Sequence, residues 1–319
     1  MLFPISQPIR DSAEDLIGFV DSLGRIVVPA RYKTGRYFSE GLAAVRVDDT
    51  NWTLIDSNGE NAIRSRFRWI GSFSEGLCSV EKNHAKGFID RSGSLCVEPR
   101  FMQASEFREG TAFASPDGDS FGYIERSGCF IIKPQFQEAR RFSCGLGAVR
   151  RDGFWGFVDH CGTVRIPFQF EGPRAGPFMS GFAGVCSRGL WGFIDGAGDF
   201  AIKPQFADVR RFAEGHASVC LDAKWGFVDT TGRMRLMPRF DELGKLDCGM
   251  AFASVDGKAG FVSLDGKWVI PPDFEQCFPF VGDLAAVRRG DTWQYIRRDG
   301  QAVWKSEPHA IVQAPPFSD

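Results

Sequence analysis

The chain has 319 residues, 43% of them hydrophobic and 24% charged, which gives enough apolar surface for a large core and excludes a disordered polypeptide. Its 38 basic and 40 acidic residues leave a formal charge of −2, so no global field draws it to nucleic acid or to anionic membranes. No run reaches the roughly 18 apolar residues that a membrane helix needs.

Residues 1–15, "MLFPISQPIRDSAED", contain no basic segment followed by an apolar stretch, and prolines interrupt what hydrophobicity there is. They are read as a leader or cap, with "LFPI" as the one short piece able to serve as a strand. A cytoplasmic protein is expected. The nine cysteines agree with that compartment, because they are odd in number, form no CxxC pair and fall at different repeat positions. They are taken as small buried thiols.

From residue 16 one sentence is written over and over. A small residue after an aromatic stands at Gly18, Thr53, Gly87, Gly122, Gly156, Gly192, Gly226, Gly260 and Gln294, spaced by 34 to 36 residues, and a second glycine follows each by six, from Gly24 to Gly300. Helical repeats can share this period. Here each copy carries two or three glycines and usually a proline, and its apolar residues alternate, so the units are built of strands.

The copy at Gly226 illustrates the unit. "GFVD" and "RMRLM" are short strands joined by "DTTG", in which Asp229 caps the turn and Gly232 supplies the left-handed conformation that closes it. The same acid recurs at Asp21, Asp56, Asp90, Asp159 and Asp195, with Glu125 as a near match, which marks it as turn chemistry and not as a catalytic carboxylate. Pro238 then ends the strand and Phe240 turns into the core, as in Pro99/Phe101, Pro134/Phe136, Pro167/Phe170, Pro204/Phe206 and Pro272/Phe274. "FSEG", "FREG" or "FAEG" makes the next turn, and a third strand such as "LAAV" from Leu42 follows.

Each unit is therefore an antiparallel three-stranded meander, in an all-β chain. Eight units are complete, and Gly18 to Pro29 forms a partial first unit without its first strand. The repeat domain spans residues 16–305, and 306–319, proline-rich and aperiodic, form a tail. Closing such units into a propeller-like ring normally takes a strand from one terminus to complete the opposite blade, and blades commonly carry four strands. The incomplete first unit and the count of three favour an open solenoid or superhelix, with the closed ring as the alternative.

The strings "FWGFVDHCG" at Phe154, "LWGFIDGAG" at Leu190 and "KWGFVDTTG" at Lys224, with the Ile-x-Pro-x-Phe and Phe-x-Glu-Gly-Leu-Ala segments around them, resemble the WG (KWG) repeat family of bacterial proteins over residues 16 to 304. Ile17, Lys86, Phe121 and Ala259 depart from its tryptophan, Thr53 and Gln294 from its glycine, and Asp283 from its turn glycine. The resemblance implies a repeat architecture. It implies no activity, since the family is known chiefly by its repeat.

Catalytic and ligand motifs are sparse. "GDSFG" from Gly118 matches a G-x-S-x-G nucleophile elbow, but Gly122 is the repeat's own marker, and Ser120 stands in a hairpin unit that offers no helix. His84, His160, His216 and His309 occupy unrelated positions, and no P-loop, dinucleotide, calcium-loop or zinc pattern is present, so neither cofactor nor metal is expected. Trp52, Trp155, Trp191, Trp225 and Trp293 share one repeat position and are read as wedges between units, each contributing roughly 2 kcal/mol by burial.

"EARRF" and "DVRRF" place Arg140, Arg141, Arg210 and Arg211 two repeats apart, on a basic strip with Arg36, Arg108 and Arg174 suited to carboxylates or phosphates of a partner. The expected function is a non-enzymatic, monomeric scaffold that binds another protein through Arg140, Arg141, Arg210, Arg211 and Arg174. Its alternatives are an immunity-type protein that blocks a bacterial toxin, and a hydrolase using Ser120.

Overall fold

The computed structural model describes residues 1–8 and 15–308. These residues form nine small antiparallel sheets along the chain, six of four strands and three of three, each a meander of sequence neighbours. Among the described residues no helix is long and apolar enough to cross a membrane. The described residues divide into two compact units: unit 1 lies within 1–134 and 280–308, and unit 2 is Gln135–Pro279.

The marker glycine is explained inside one sheet. The middle strand Leu190–Ile194 pairs with the outer strand Phe200–Phe206 through register shifts on either side of Phe193. These bulges press the outer backbone against the middle one, so that a methyl group on Gly192 would stand 2.5 Å from Ile202 O and 2.7 Å from Pro204 N. The same crowding occurs at Gly18, Gly87, Gly122, Gly156, Gly226 and Gly260. Its relaxation explains the two departures. After Trp52–Ile55 no regular outer strand follows, only isolated bridges to Asn61 and Phe67, which leaves room at Thr53. Gln294 sits opposite Lys305 in direct register.

The expectation that proline ends its strand is corrected by the same geometry. Pro238 lies within Met234–Phe240, and Pro204 within Phe200–Phe206; both strands are the outermost of their sheets, where a missing amide donor leaves no partner unsatisfied. The turn before the strand is as read. Asp229 Oδ1 accepts from the Thr231 and Arg233 amides at 2.9 and 3.1 Å, and Gly232 has φ of 83°. The turn glycine is also where neighbouring sheets meet: a methyl on Gly198 would stand 2.9 Å from Ile166 of the preceding sheet.

The core is a succession of layers between consecutive sheets. Phe157, Phe170 and Phe178 pack with Val185 and Ile194 in one layer, and Phe193, Phe206 and Phe212 with Val219 and Val228 in the next. Within these layers a middle-strand phenylalanine meets the aromatic of the following turn edge-on, Phe157 with Phe178 at 5.1 Å and Phe193 with Phe212 at 4.7 Å. Glutamates of the Phe-x-Glu-Gly turns tie sheets together at the rim. Glu75 accepts from the amides of Glu109 and Gly110 at 2.7 and 2.9 Å, and Glu214 from those of Cys248 and Gly249 at 2.6 and 2.9 Å.

The open solenoid is corrected within unit 1. Phe3–Pro8 of the leader pairs with Asp15–Val20, so the first sheet receives the strand that sequence reading left missing. That completed sheet packs on the last one: Phe3 lies 5.4 Å from the Tyr295 ring, and Tyr295 donates to Pro4 O at 2.7 Å. The first turn glycine, Gly24, abuts the Val303 carbonyl, much as later turns abut their preceding sheets. The ends of the repeat array thus meet, as in the propeller-like alternative, and they do so by packing sheet on sheet without exchanging a strand. A fourth strand also exists in six sheets. It is usually only two residues long, as in Glu138–Ala139 and Asp208–Val209, too short to carry an alternating pattern.

Candidate functional site: arginines stacked on tryptophans

Arg36, Arg140, Arg174 and Arg210 stand eighteen residues after a marker, at one position of the repeat. The backbone there belongs to the short inner segment. The amides of Arg36, Arg140 and Arg210 donate to Ala44, Ala148 and Ser218 carbonyls at 2.8 Å each. This places each guanidinium over the tryptophan of its own sheet, at 5.5 Å for Arg36 on Trp52, 5.3 Å for Arg140 on Trp155, 4.3 Å for Arg174 on Trp191 and 5.0 Å for Arg210 on Trp225. Trp155 and Trp191 are buried, which fits their reading as wedges.

The two residue types vary together in every repeat but the last, where Trp293 is retained and Phe278 holds the arginine's place. Where the tryptophan is replaced by Lys86, Phe121 or Ala259, the arginine's place is taken by Gly71, Ser105 or Gly244. The pair is therefore one device. This covariation is legible in the sequence, although taken singly the tryptophans read as wedges and the arginines as a strip for a partner.

Unit 2 contains three such stacks in three successive sheets. Arg174 reaches into the next sheet, donating to Asp208 Oδ1 at 2.5 Å and to Val209 O at 2.9 Å. Arg140 lies 3.5 Å from Glu138, which also receives Arg150 at 2.7 Å, and Arg210 approaches the Phe252 ring of the following sheet at 5.9 Å. Arg140 remains exposed, and Arg174 and Arg210 are half-buried. Arg141 and Arg211 follow directly and are also half-buried. Lys245 stands one sheet beyond Arg211 at the same repeat position; its own burial, and then the charge of Arg211, hold its ammonium below the ordinary lysine range. Arg36 and Arg108 belong to unit 1. Arg108 lies in a turn bridged to Thr111 and not at the stacked position.

The remaining candidates separate from one another. The Ser120 amide donates to Asp117 Oδ1 at 2.8 Å in a tight loop before the strand Phe121–Ile124. His84 meets Arg68, His160 stacks on Phe142 at 4.0 Å, and His216 Nδ1 lies 2.8 Å from Glu214 O; His309 is outside the described residues. Glu214, Asp247 and Cys248 converge, with both Glu214 oxygens engaged by backbone amides. The buried-thiol reading is corrected for five cysteines: Cys96, Cys129, Cys144, Cys161 and Cys248 are exposed, three of them in turns. Cys78 and Cys277 are buried, and burial raises their thiols to about 12.

Fold and site together define an all-β repeat protein whose recurrent aromatics and glycines build the frame. The chain belongs to the WG containing repeat family, whose model matches residues 17–50, 52–83, 87–118, 121–153, 155–191, 191–225, 225–258 and 260–293. Among curated proteins none matches the sequence. Among solved structures, the crystal structure of the eukaryotic initiation factor is similar with a TM-score of 0.69 at 11% identity, covering 100% of both chains. BamB from Moraxella catarrhalis gives 0.47 at 10% identity over 82% of this chain and 91% of its own. Apo AztD from Citrobacter koseri gives 0.45 at 13% identity over 99% and 95%. At such identity the first likeness speaks to the fold alone.

Proposed function

We propose that the protein is a non-enzymatic repeat scaffold that binds another protein, with Arg140, Arg174 and Arg210 of unit 2, and Arg141 and Arg211 beside them, as the contact surface. One observation carries this reading: three successive sheets present a guanidinium at the same repeat position, each backed by an indole. Stacking fixes the long side chain before a partner arrives, so less entropy is lost on binding, and a planar fork of donors suits carboxylates on an extended segment. Arginine is also among the residues that dominate binding energy at protein interfaces.

Affinity capture from the native host, with identification by mass spectrometry, tests the reading. A specific protein should be retained by the wild type and lost from an Arg140→Glu/Arg210→Glu variant with an unchanged unfolding midpoint. Undiminished capture by that variant removes this surface from the reading, and the absence of any specific protein removes the scaffold itself.

A further inference from the structure

The stack in unit 1 differs from those in unit 2 in one respect. Beside Arg140 the acid Glu138 stands two residues before the arginine, and beside Arg174 the equivalent place in the next sheet holds Asp208. Around Arg36 those two places hold Thr34 and Trp69. The guanidinium lies between two indoles, 5.5 Å from Trp52 and 5.1 Å from Trp69, and the Trp69 ring also receives the Lys86 ammonium at 5.2 Å.

Neither cation has a side-chain hydrogen bond or ion pair with any described residue, and Arg36 Nε is buried without an acceptor. Other charges near Arg36 leave it in this state. Glu106 acts on it through space, the Cys78 thiol beside it is kept neutral by burial, and Glu81, opposite Lys86, is engaged by Arg68 at 3.8 Å. Of the guanidinium's five N–H donors, the one on Nε is buried and unmet, which is costly.

We propose that Arg36 and Lys86, framed by Trp52 and Trp69, form a receptor for a carboxylate carried by an acidic segment of a partner protein. The repeat itself indicates the ligand: Glu138 stands beside Arg140 and Asp208, from the next sheet, beside Arg174, whereas the two equivalent places around Arg36 hold Thr34 and Trp69 and supply no carboxylate. The field of Glu106 favours a singly charged carboxylate over a dianionic phosphate. The indole walls suit the methylene stem of a glutamate side chain. This goes beyond the scaffold reading by naming the chemistry. Because the receptor lies in unit 1 and the arginine row in unit 2, failure of either leaves the other standing.

The test is calorimetric titration of the full chain with an N-acetylated tetraglutamate peptide, with the Trp52 and Trp69 indole N–H resonances followed by NMR. The peptide is expected to saturate one site and shift both resonances. Arg36→Gln should weaken binding about tenfold or more, and Lys86→Gln by a smaller factor. Trp69→Asp supplies the acid that Asp208 provides beside Arg174, so it should close the receptor from within and abolish binding. Arg210→Gln, in unit 2, should leave the affinity unchanged. Inorganic phosphate should compete poorly. No binding at about 10 mM peptide, an Arg36→Gln affinity equal to wild type, or phosphate competing as well as the peptide would overturn the proposal.

Discussion

The crowding argument for the marker glycine makes a graded prediction in unit 2. In Gly192→Ala the new methyl would meet three backbone atoms, Ile202 O at 2.5 Å, Pro204 N at 2.7 Å and Lys203 C at 2.9 Å, none of which can rotate away as a side chain could. Restoring an ordinary contact requires the two strands to part by about 0.7 Å at a bulge where Trp191 and Phe193 are packed on both sides, and overpacking of this kind costs about 3 kcal/mol. Gly153 has φ of 83° but nothing within 4 Å of its missing methyl, so Gly153→Ala bears only the left-handed strain, about 1–2 kcal/mol. Gly196 has an ordinary φ and open space around it, and its alanine should be neutral or more stable by about 0.5 kcal/mol, through the unfolded chain. Urea unfolding followed by tryptophan fluorescence would rank the three. A Gly192→Ala loss no larger than that of Gly153→Ala would refute crowding as the reason for the glycine.

Three further outcomes follow from the same geometry. Glu75→Ala removes the acceptor of two neighbouring amides and should cost about 1–3 kcal/mol by urea unfolding, with a smaller loss for Glu75→Gln, which keeps one acceptor. In acid, turn carboxylates govern stability. A hydrogen bond from the Asn51 side chain holds Asp48 at about 2, one from Lys267 holds Asp265 at about 2, and Asp229 is lowered chiefly by the Thr231 hydroxyl. The unfolded chain takes up these protons first, so stability is complete above about pH 4 and falls as the pH drops toward 2; Asp229→Asn should flatten that slope in pH-dependent melting. With a thiol reagent at about pH 8, the exposed Cys129 and Cys161 should be modified within the native protein, and the buried Cys78 and Cys277, whose thiols ionise only near 12, should react only on unfolding, as peptide mapping would report.

What the sequence disclosed and what it hid divide by the range of the interaction. The Asp229–Gly232 turn was legible because donor, acceptor and the left-handed residue lie within five positions. Trp155 and Trp191 were legible as wedges because burial of a large ring at a fixed position needs no knowledge of its neighbour. The marker glycine was legible as a marker but its neighbour was not: the crowding atoms belong to the outer strand of its own sheet, ten to twelve residues on. The meeting of the ends was illegible because it depends on Pro4, Gly24, Tyr295 and Val303, which come together only after every intervening sheet has formed and which no local pattern marks as partners. Tyr295 illustrates the difference. In the repeat its position is occupied by phenylalanine in most copies, and here the extra hydroxyl donates to the first sheet's Pro4 carbonyl and lies 3.4 Å from the Tyr37 hydroxyl. Such a departure at an array's end is read against what that end touches, and Trp69 is read in the same way: it stands beside Arg36 at the place that Asp208 holds beside Arg174.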